Sequence, residues 1–338
     1  MVSRRGFHRA VLLGACAVSA PLVQVQAQPE RPRVTVAVGA RESFNHLPLA
    51  VAMQLGYFKA EGLDVDIQDA ASVSGATPAQ VFAGAYTQTI RMQGQKQYLR
   101  AFAMQSLSPM VALGIAPAAL EGASLSTQLR GKRIGVPSSG ALSVMLAHLM
   151  VARAGLGNAG VSWVELSSPA NAAAALRAGQ IDAISNCDPI MTTLEQRGEV
   201  KVIADARTLK SAKQLFGGAI PSACLYAGET FVQSYPATCQ ALTNGVVRAL
   251  KWLQTAGPSD IIKTVPEAYL QGDRSVYLAC FAKARESFAT DAVLPEDGPR
   301  IALKTVTEYE PALKGARVDL ARTFTNDFAL RAKARFRA

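Results

Sequence analysis

Residues 33–67, RVTVAVGARESFNHLPLAVAMQLGYFKAEGLDVDI, decide the fold class. Val34-Thr35-Val36-Ala37-Val38 is a β-rich apolar run that stops at Gly39. Pro48 suits a first helical turn. Leu49, Ala52, Met53 and Gly56 then recur at three- and four-residue spacing until the stop at Gly62. Leu63-Asp64-Val65-Asp66-Ile67 alternates apolar and polar, as a half-buried strand does. The stretch therefore reads as one βαβ unit, and a right-handed crossover sets its two strands parallel.

The same alternation returns downstream. Strands are predicted at Lys132–Val136, Val161–Leu166, Ile181–Ser185 and Val200–Ile203, with helices at Ala141–Ala154, Ala170–Ala178 and Pro189–Arg197 between them. Short Gly and Pro junctions between strand and helix mean an α/β sheet covered on both faces. From Pro236 the period is helical. Leu242, Val246, Leu250 and Leu253 trace one stripe, Val276, Leu278, Ala279 and Phe281 a second, and Ile301, Val306 and Tyr309 a third. Two α/β blocks and a helical tail describe a chain that passes into a second lobe and returns. Lobe I is expected at 33–108 and 225–338, and lobe II at 109–224.

Composition agrees with that reading. A chain of 338 residues exceeds one core of ordinary size. With 49% apolar and 18% charged residues it is neither disordered nor fibrous. Five cysteines are too few to staple a fold of this length. Met1 to Ala27 reads as an export signal, with Arg4, Arg5 and Arg9, no acid, and an apolar run from Ala10 to Val23 too short to span a bilayer. Ser3-Arg4-Arg5-Gly6-Phe7 resembles a twin-arginine signal. The alternative is Leu13-Gly14-Ala15-Cys16, a lipobox-like stretch that would make Cys16 a lipid anchor. It leaves only the apolar run Ala10 to Ala15, so plain export to the periplasm is preferred. Removing the three leader arginines lowers the net charge from +10 to +7. The remaining basic residues are scattered up to the C-terminal stretch Arg331–Arg337, which reads as a solvated helix end. Nucleic-acid binding is not expected.

In open α/β sheets ligands bind beyond the carboxyl ends of the strands. The loops there are rich in hydroxyl and amide residues: Arg41–Pro48, Pro137–Ser143, Ser167–Asn171 and Ser185–Pro189. Each alone is explained by helix capping; four at the same ends of their strands describe a polar cleft. Catalytic signatures do not accompany it. After the leader only His46, in a cleft loop, and His148, inside an apolar helix, are present. Neither a G-x-S-x-G elbow nor an H-E-x-x-H or C-x-x-C pair occurs, so no triad and no metal site is expected. Cys187, Cys224, Cys239 and Cys280 are open to either buried thiols or a disulfide.

Asn45-His46-Leu47-Pro48-Leu49-Ala50-Val51-Ala52-Met53-Gln54-Leu55-Gly56-Tyr57-Phe58-Lys59-Ala60-Glu61-Gly62-Leu63-Asp64-Val65 resembles the opening of the nitrate/sulfonate/taurine-type substrate-binding proteins of ABC transporters. Gly131–Val136, Ala175–Ala183 and Thr323–Phe328 are similar too, in the same order. The resemblance implies a type II periplasmic-binding fold: α/β, two lobes, each a mixed sheet flanked by helices, with the ligand cleft between them. It implies capture of a small anionic or amide-bearing molecule (a sulfonate, carboxylate or pyrimidine), delivery to a permease at the inner membrane, a monomer, and no cofactor or chemistry. Two departures stand out: Ala141 replaces a usual hydroxyl in Gly140-Ala141-Leu142-Ser143, and Ala85–Ile90 replaces a usual D-hydrophobic-G turn. The expected ligand contacts are Arg41, Ser43, Asn45, Tyr86, Thr87, Ser138, Ser139, Gly140, Ser143, Asn186 and Asp188, Tyr86 by stacking and Arg41 by pairing with an acid. Two other readings are an enzyme resembling thiamine-pyrimidine synthases, which lacks its cysteine-rich metal segment here, and a ligand-sensing domain.

Overall fold

The computed structural model describes residues 28–39, 41–70, 79–137, 141–166, 169–270 and 273–338. The expected leader with Cys16, and the expected contacts Ser138, Ser139 and Gly140, lie outside the described residues, as do Ser167 and Ser168.

Among the described residues, ten strands form two five-stranded sheets. The first sheet has the order β2-β1-β3-β10-β4, from Asp64–Asp69, Arg33–Val38, Val81–Ala85, Ala223–Gly228 and Leu99–Met104. The second has the order β7-β6-β8-β5-β9, from Ser162–Leu166, Arg133–Pro137, Ala183–Cys187, Val111–Ile115 and Lys201–Ala206. β1 pairs parallel with β2 and β3, with Val34 opposite Val65 and Val36 opposite Val81. β6 pairs parallel with β7 and β8. In each sheet one strand runs the other way: β10 between β3 and β4, and β5 between β8 and β9. These are the strands on which the chain arrives from the opposite sheet. Both sheets are therefore mixed, and this is the two-lobed periplasmic-binding-protein-like architecture.

The burial of the strands follows their place in the order. β1, flanked on both sides, is buried from Val34 to Val38, which is why every residue of that span but Thr35 is apolar. β2, at the edge, buries Val65 and exposes Asp64 and Asp66. Helix Pro236–Thr255 buries Leu242, Val246, Leu250 and Leu253 completely in the core of the first sheet. Gly245 lets that helix lie directly on the Phe58 ring, since any Cβ there would overlap it. In helix Arg274–Ala284 the buried face is Tyr277, Cys280, Phe281 and Ala284, not the expected stripe through Val276, Leu278 and Ala279. The reason is aromatic packing: Tyr277 sits 4.8 Å from Phe44, which pulls that side of the helix inward. Helix Gly298–Tyr309 touches both halves, with Ala302 in the first core and Ile301 and Tyr309 against the second.

One further expectation is corrected. The basic C-terminal stretch is docked, not merely solvated. Arg335 bonds Glu61 at 2.8 Å, Lys333 pairs with Asp291 at 2.7 Å, and Arg331 donates to Gln240 at 2.6 Å. The Glu61 side chain is only 2% exposed and also accepts from Asn244 at 2.7 Å. A carboxylate so far from water needs cationic and hydrogen-bonding partners, and the last helix, Asp327–Phe336, brings one. The four described cysteines are all free, with Cys224 and Cys239 buried in the first core. His148 stacks on Trp163 with ring centroids 4.0 Å apart, a helix histidine with its place in the packing.

The chain crosses between the sheets twice, after β4 and before β10, and the crossings lie side by side. Gln105 N donates to Ala223 O at 2.8 Å, Ser222 N donates to Ser106 O at 3.0 Å, and Ala223 N donates to Ser106 Oγ at 3.0 Å.

Candidate functional site

A cavity of about 160 Å³ lies between the two sheets, at the carboxyl ends of their parallel strands. A dry engineered cavity of roughly 150 Å³ accepts benzene, so a ligand of one ring is the right scale. The first sheet contributes Gly39 after β1, Phe82 and Gly84 from β3 and Tyr226 from β10. The second contributes Pro137 at the end of β6, and Asn186 and Cys187 at the end of β8. Ser43, Asn45 and His46 reach it from the loop after β1, Gln88 from the first turn of helix Thr87–Gly94, and Ser143 from the first turn of helix Ala141–Arg153.

The four expected contacts Ser43, Asn45, Ser143 and Asn186 thus come together, two from each half of the chain. Asn45 has a second task. Its Oδ1 accepts from Ser106 Oγ at 2.6 Å and its Nδ2 donates to Pro109 O at 2.5 Å, which ties the cavity wall to the outgoing crossing.

Four other expected contacts stand away from the cavity wall. Tyr86 is fully buried and its hydroxyl shares a 2.6 Å hydrogen bond with Thr323 Oγ1, so its ring packs in the core instead of facing a ligand. Thr87, beside it, is buried at the start of its helix. Arg41 turns from the cavity and donates to Ile67 O at 2.6 Å. Asp188 caps the following helix by accepting from Thr192 N at 2.9 Å, and its carboxylate lies 3.7 Å from Arg207. Burial raises the Asp188 pKa against the pull of that guanidinium. For Arg207, burial works toward a lower pKa but is outweighed by Asp205, Asp188 and Glu195, which leave it raised. This cluster holds the second half together beneath the cavity.

Sequence reasoning missed Phe82, Tyr226 and Gln88. Phe82 and Tyr226 are register partners across β3 and β10, with near-parallel rings 5.6 Å apart. Gly84, on the same strand, keeps the space over them open, since a Cβ there would meet the Tyr226 hydroxyl at 3.4 Å. The one available signal was a lone aromatic in each of two strands built otherwise of small residues.

The chemistry of the wall is neutral. Burial holds the His46 imidazole down at about 4 against its contact with the Gly39 carbonyl, and its Nδ1 has no hydrogen-bond partner. Burial pushes the Cys187 thiol up to about 12, and Asp188 pushes the same way. An imidazole whose pKa is held so low is a weak base, and a protonated thiol is a weak nucleophile. The wall offers hydrogen bonds and an aromatic face.

Comparison with known proteins gives a consistent picture. The model of the family described as NMT1/THI5 like matches residues 43–258. A comparison with curated proteins found no significant match. A Bordetella bronchiseptica RB50 protein of solved structure is 41% identical, with a TM-score of 0.86 over 92% of this chain and 100% of that one. The alkanesulfonate-binding protein SsuA of Xanthomonas axonopodis pv. citri, bound to MOPS, is similar in fold: 17% identity, TM-score 0.66, 88% of this chain and 99% of that one. So is the periplasmic nitrate-binding protein NrtA of Synechocystis PCC 6803: 13% identity, TM-score 0.66, 91% of this chain and 90% of that one.

Proposed function

From a chain that belongs to the NMT1/THI5-like family, and whose cavity is shared between two sheets, we propose an extracytoplasmic solute-binding protein that hands its ligand unchanged to a membrane permease of the ABC type. One observation carries this reading: Ser43 and Asn45 from one half and Ser143 and Asn186 from the other face one small, uncharged, partly aromatic cavity. A ligand held by both halves favours their approach, because only the closed form makes all the contacts. We divide the lobes as 33–108 with 225–338, and 109–224, and take the paired crossings as the hinge. The fold similarity to sulfonate- and nitrate-binding proteins supports the class. The stacked pair Phe82 and Tyr226 favours a planar molecule bearing a carboxylate, sulfonate or amide. The neutral state of His46 and Cys187 favours capture over chemistry.

The test is native mass spectrometry of the freshly purified protein, followed by melting curves and small-angle X-ray scattering with a panel of sulfonates, carboxylates, nitrate and pyrimidines. A retained mass, or a panel member that raises the melting temperature and shrinks the radius of gyration, is the expected result. A panel that leaves both unchanged, with no retained mass, refutes the proposal. Turnover of a pyrimidine would replace it with the enzyme reading.

A further inference from the structure

The amide side chains on the cavity wall differ in which of their atoms are already engaged. Asn45 is engaged at both ends, by Ser106 Oγ and Pro109 O. Asn186 is engaged only at its oxygen, which accepts from the Cys187 backbone N at 2.8 Å. A backbone N–H can only donate, so the amide has one admissible orientation and its Nδ2 is the outer atom. Among the described residues nothing accepts from that nitrogen. Asn186 is 4% exposed, yet its Nδ2 is not among the sealed, unpaired atoms, so it opens onto the cavity it lines.

Gln88, on the other half of the chain, repeats the arrangement. Its Oε1 accepts from Arg91 Nη1 at 3.0 Å. A guanidinium has donors only, so this amide too is fixed with its nitrogen free. Arg91 is itself held by an ion pair to Glu310 at the end of helix Gly298–Tyr309. Glu310 therefore fixes Arg91, Arg91 fixes the Gln88 amide, and Gln88 Nε2 is left as a donor on the cavity side.

Resting on the capture reading above, we propose that Gln88 and Asn186 form a donor clamp with one jaw from each half. The clamp selects ligands whose polar end carries oxygen acceptors and no donor, the carboxylate or sulfonate of a planar acid. Gln88 is a specificity-determining contact, and Arg91 is a positioning residue that acts through it. Both jaws sit close to a helix N-terminal turn, those of Thr87–Gly94 and Ala141–Arg153, whose positive ends favour the same charge. Phe82, backed by Tyr226, then meets the ring. An anion is thereby recognised through fixed amide dipoles.

The experiment uses two molecules of nearly equal shape and opposite hydrogen-bonding character, benzoate and benzamidine, titrated calorimetrically into the full-length mature protein. Wild type binds benzoate at least tenfold more tightly, the scale of one lost hydrogen bond with a group left unpaired. Gln88→Glu turns the jaw into an acceptor and abolishes or reverses the preference. Gln88→Met removes the donor and weakens benzoate about tenfold while leaving benzamidine unchanged. Arg91→Met lets the amide rotate and narrows the preference with Gln88 still present, which a purely structural arginine would not do. Circular dichroism and unfolding midpoints confirm that each variant is folded. Wild-type protein that binds neither compound, or binds benzamidine more tightly, overturns the clamp, as does an unchanged preference in Gln88→Glu. Solute capture itself falls only if the whole panel named above also leaves the protein unshifted.

Discussion

Acid should destabilise this protein in part through His46. Its imidazole is buried in the cavity wall, and its pKa falls from 6.5 to about 4. Burial is the main cause, since the charged form cannot be hydrated there. A depressed histidine pKa means the unfolded chain binds the proton first. The contribution to stability is therefore complete above about pH 6.5, shrinks as the pH falls, and is gone below about pH 4. At about 1.4 kcal/mol per pKa unit, the loss from pH 7.5 to pH 4 is about 3 kcal/mol. The assay is urea unfolding followed by the fluorescence of Trp163 and Trp252, on wild type and on His46→Gln. The glutamine retains a donor for the Gly39 carbonyl but cannot titrate. Burial also raises the Asp188 pKa, so the quantity to compare is the difference between the two pH profiles. Wild type should lose about 3 kcal/mol more than the variant over that interval. Parallel profiles would show that His46 titrates as in open water, and the account of the cavity wall as a dry surface would fail.

Three shorter expectations follow from the packing. Gly84→Ala should fold normally, because the added methyl makes ordinary contact with Tyr226, yet it should weaken ligand binding by occupying the cavity floor, as read by calorimetry with whichever panel member binds. Gly245→Ala should destabilise by about 1–3 kcal/mol in urea melts, although helix propensity alone favours alanine by about 1 kcal/mol, because the new Cβ overlaps the Phe58 ring. A stabilised variant would mean that Phe58 moves aside without cost. Glu61→Ala should cost about 3–5 kcal/mol by leaving Asn244 and two arginines without their buried carboxylate, whereas Arg335→Ala, at a half-exposed position, should cost about 1 kcal/mol. Equal losses in the two variants would show that the last helix, not the carboxylate, carries the energy.

The parallel parts of the fold were legible because their physics is local. β1 is mainly apolar since it is covered on both faces, and β2 alternates since it lies at an edge. But the one helix expected between them is two, Leu47–Gln54 and Tyr57–Ala60, parted at Gly56, whose φ of 67° no continuous helix adopts. The antiparallel strands β5 and β10, and β3 and β4 beside them, were not. ACLYAG and VFAGA are made largely of small residues and VALGI is buried along its whole length, so none of the three carries a clear period in its sequence. What identifies them is their neighbours, which no local pattern contains. The site divides along the same line. Ser43, Asn45, Ser143 and Asn186 could be named because polar loops at the ends of parallel strands face a common space. Phe82 and Tyr226 could not, because they enter on the unread strands. Tyr86, Thr87, Arg41 and Asp188 sit in equally polar loops but satisfy internal partners. Which way a loop side chain turns depends on Thr323, Ile67 or Thr192, each supplied by the fold around it.

The single reversed strand in each sheet also sets an order of manufacture. β5 to β9 occupy one unbroken stretch, so the second sheet has all its members as soon as they leave the ribosome. The first does not. β3 and β4 must wait with a vacant lane between them, their edge amides unpaired, until the whole of the second sheet has been synthesised and β10 arrives to fill it. The half that is begun first is thus the half that is finished last, and in the interval it is the part of the nascent chain most open to foreign strands.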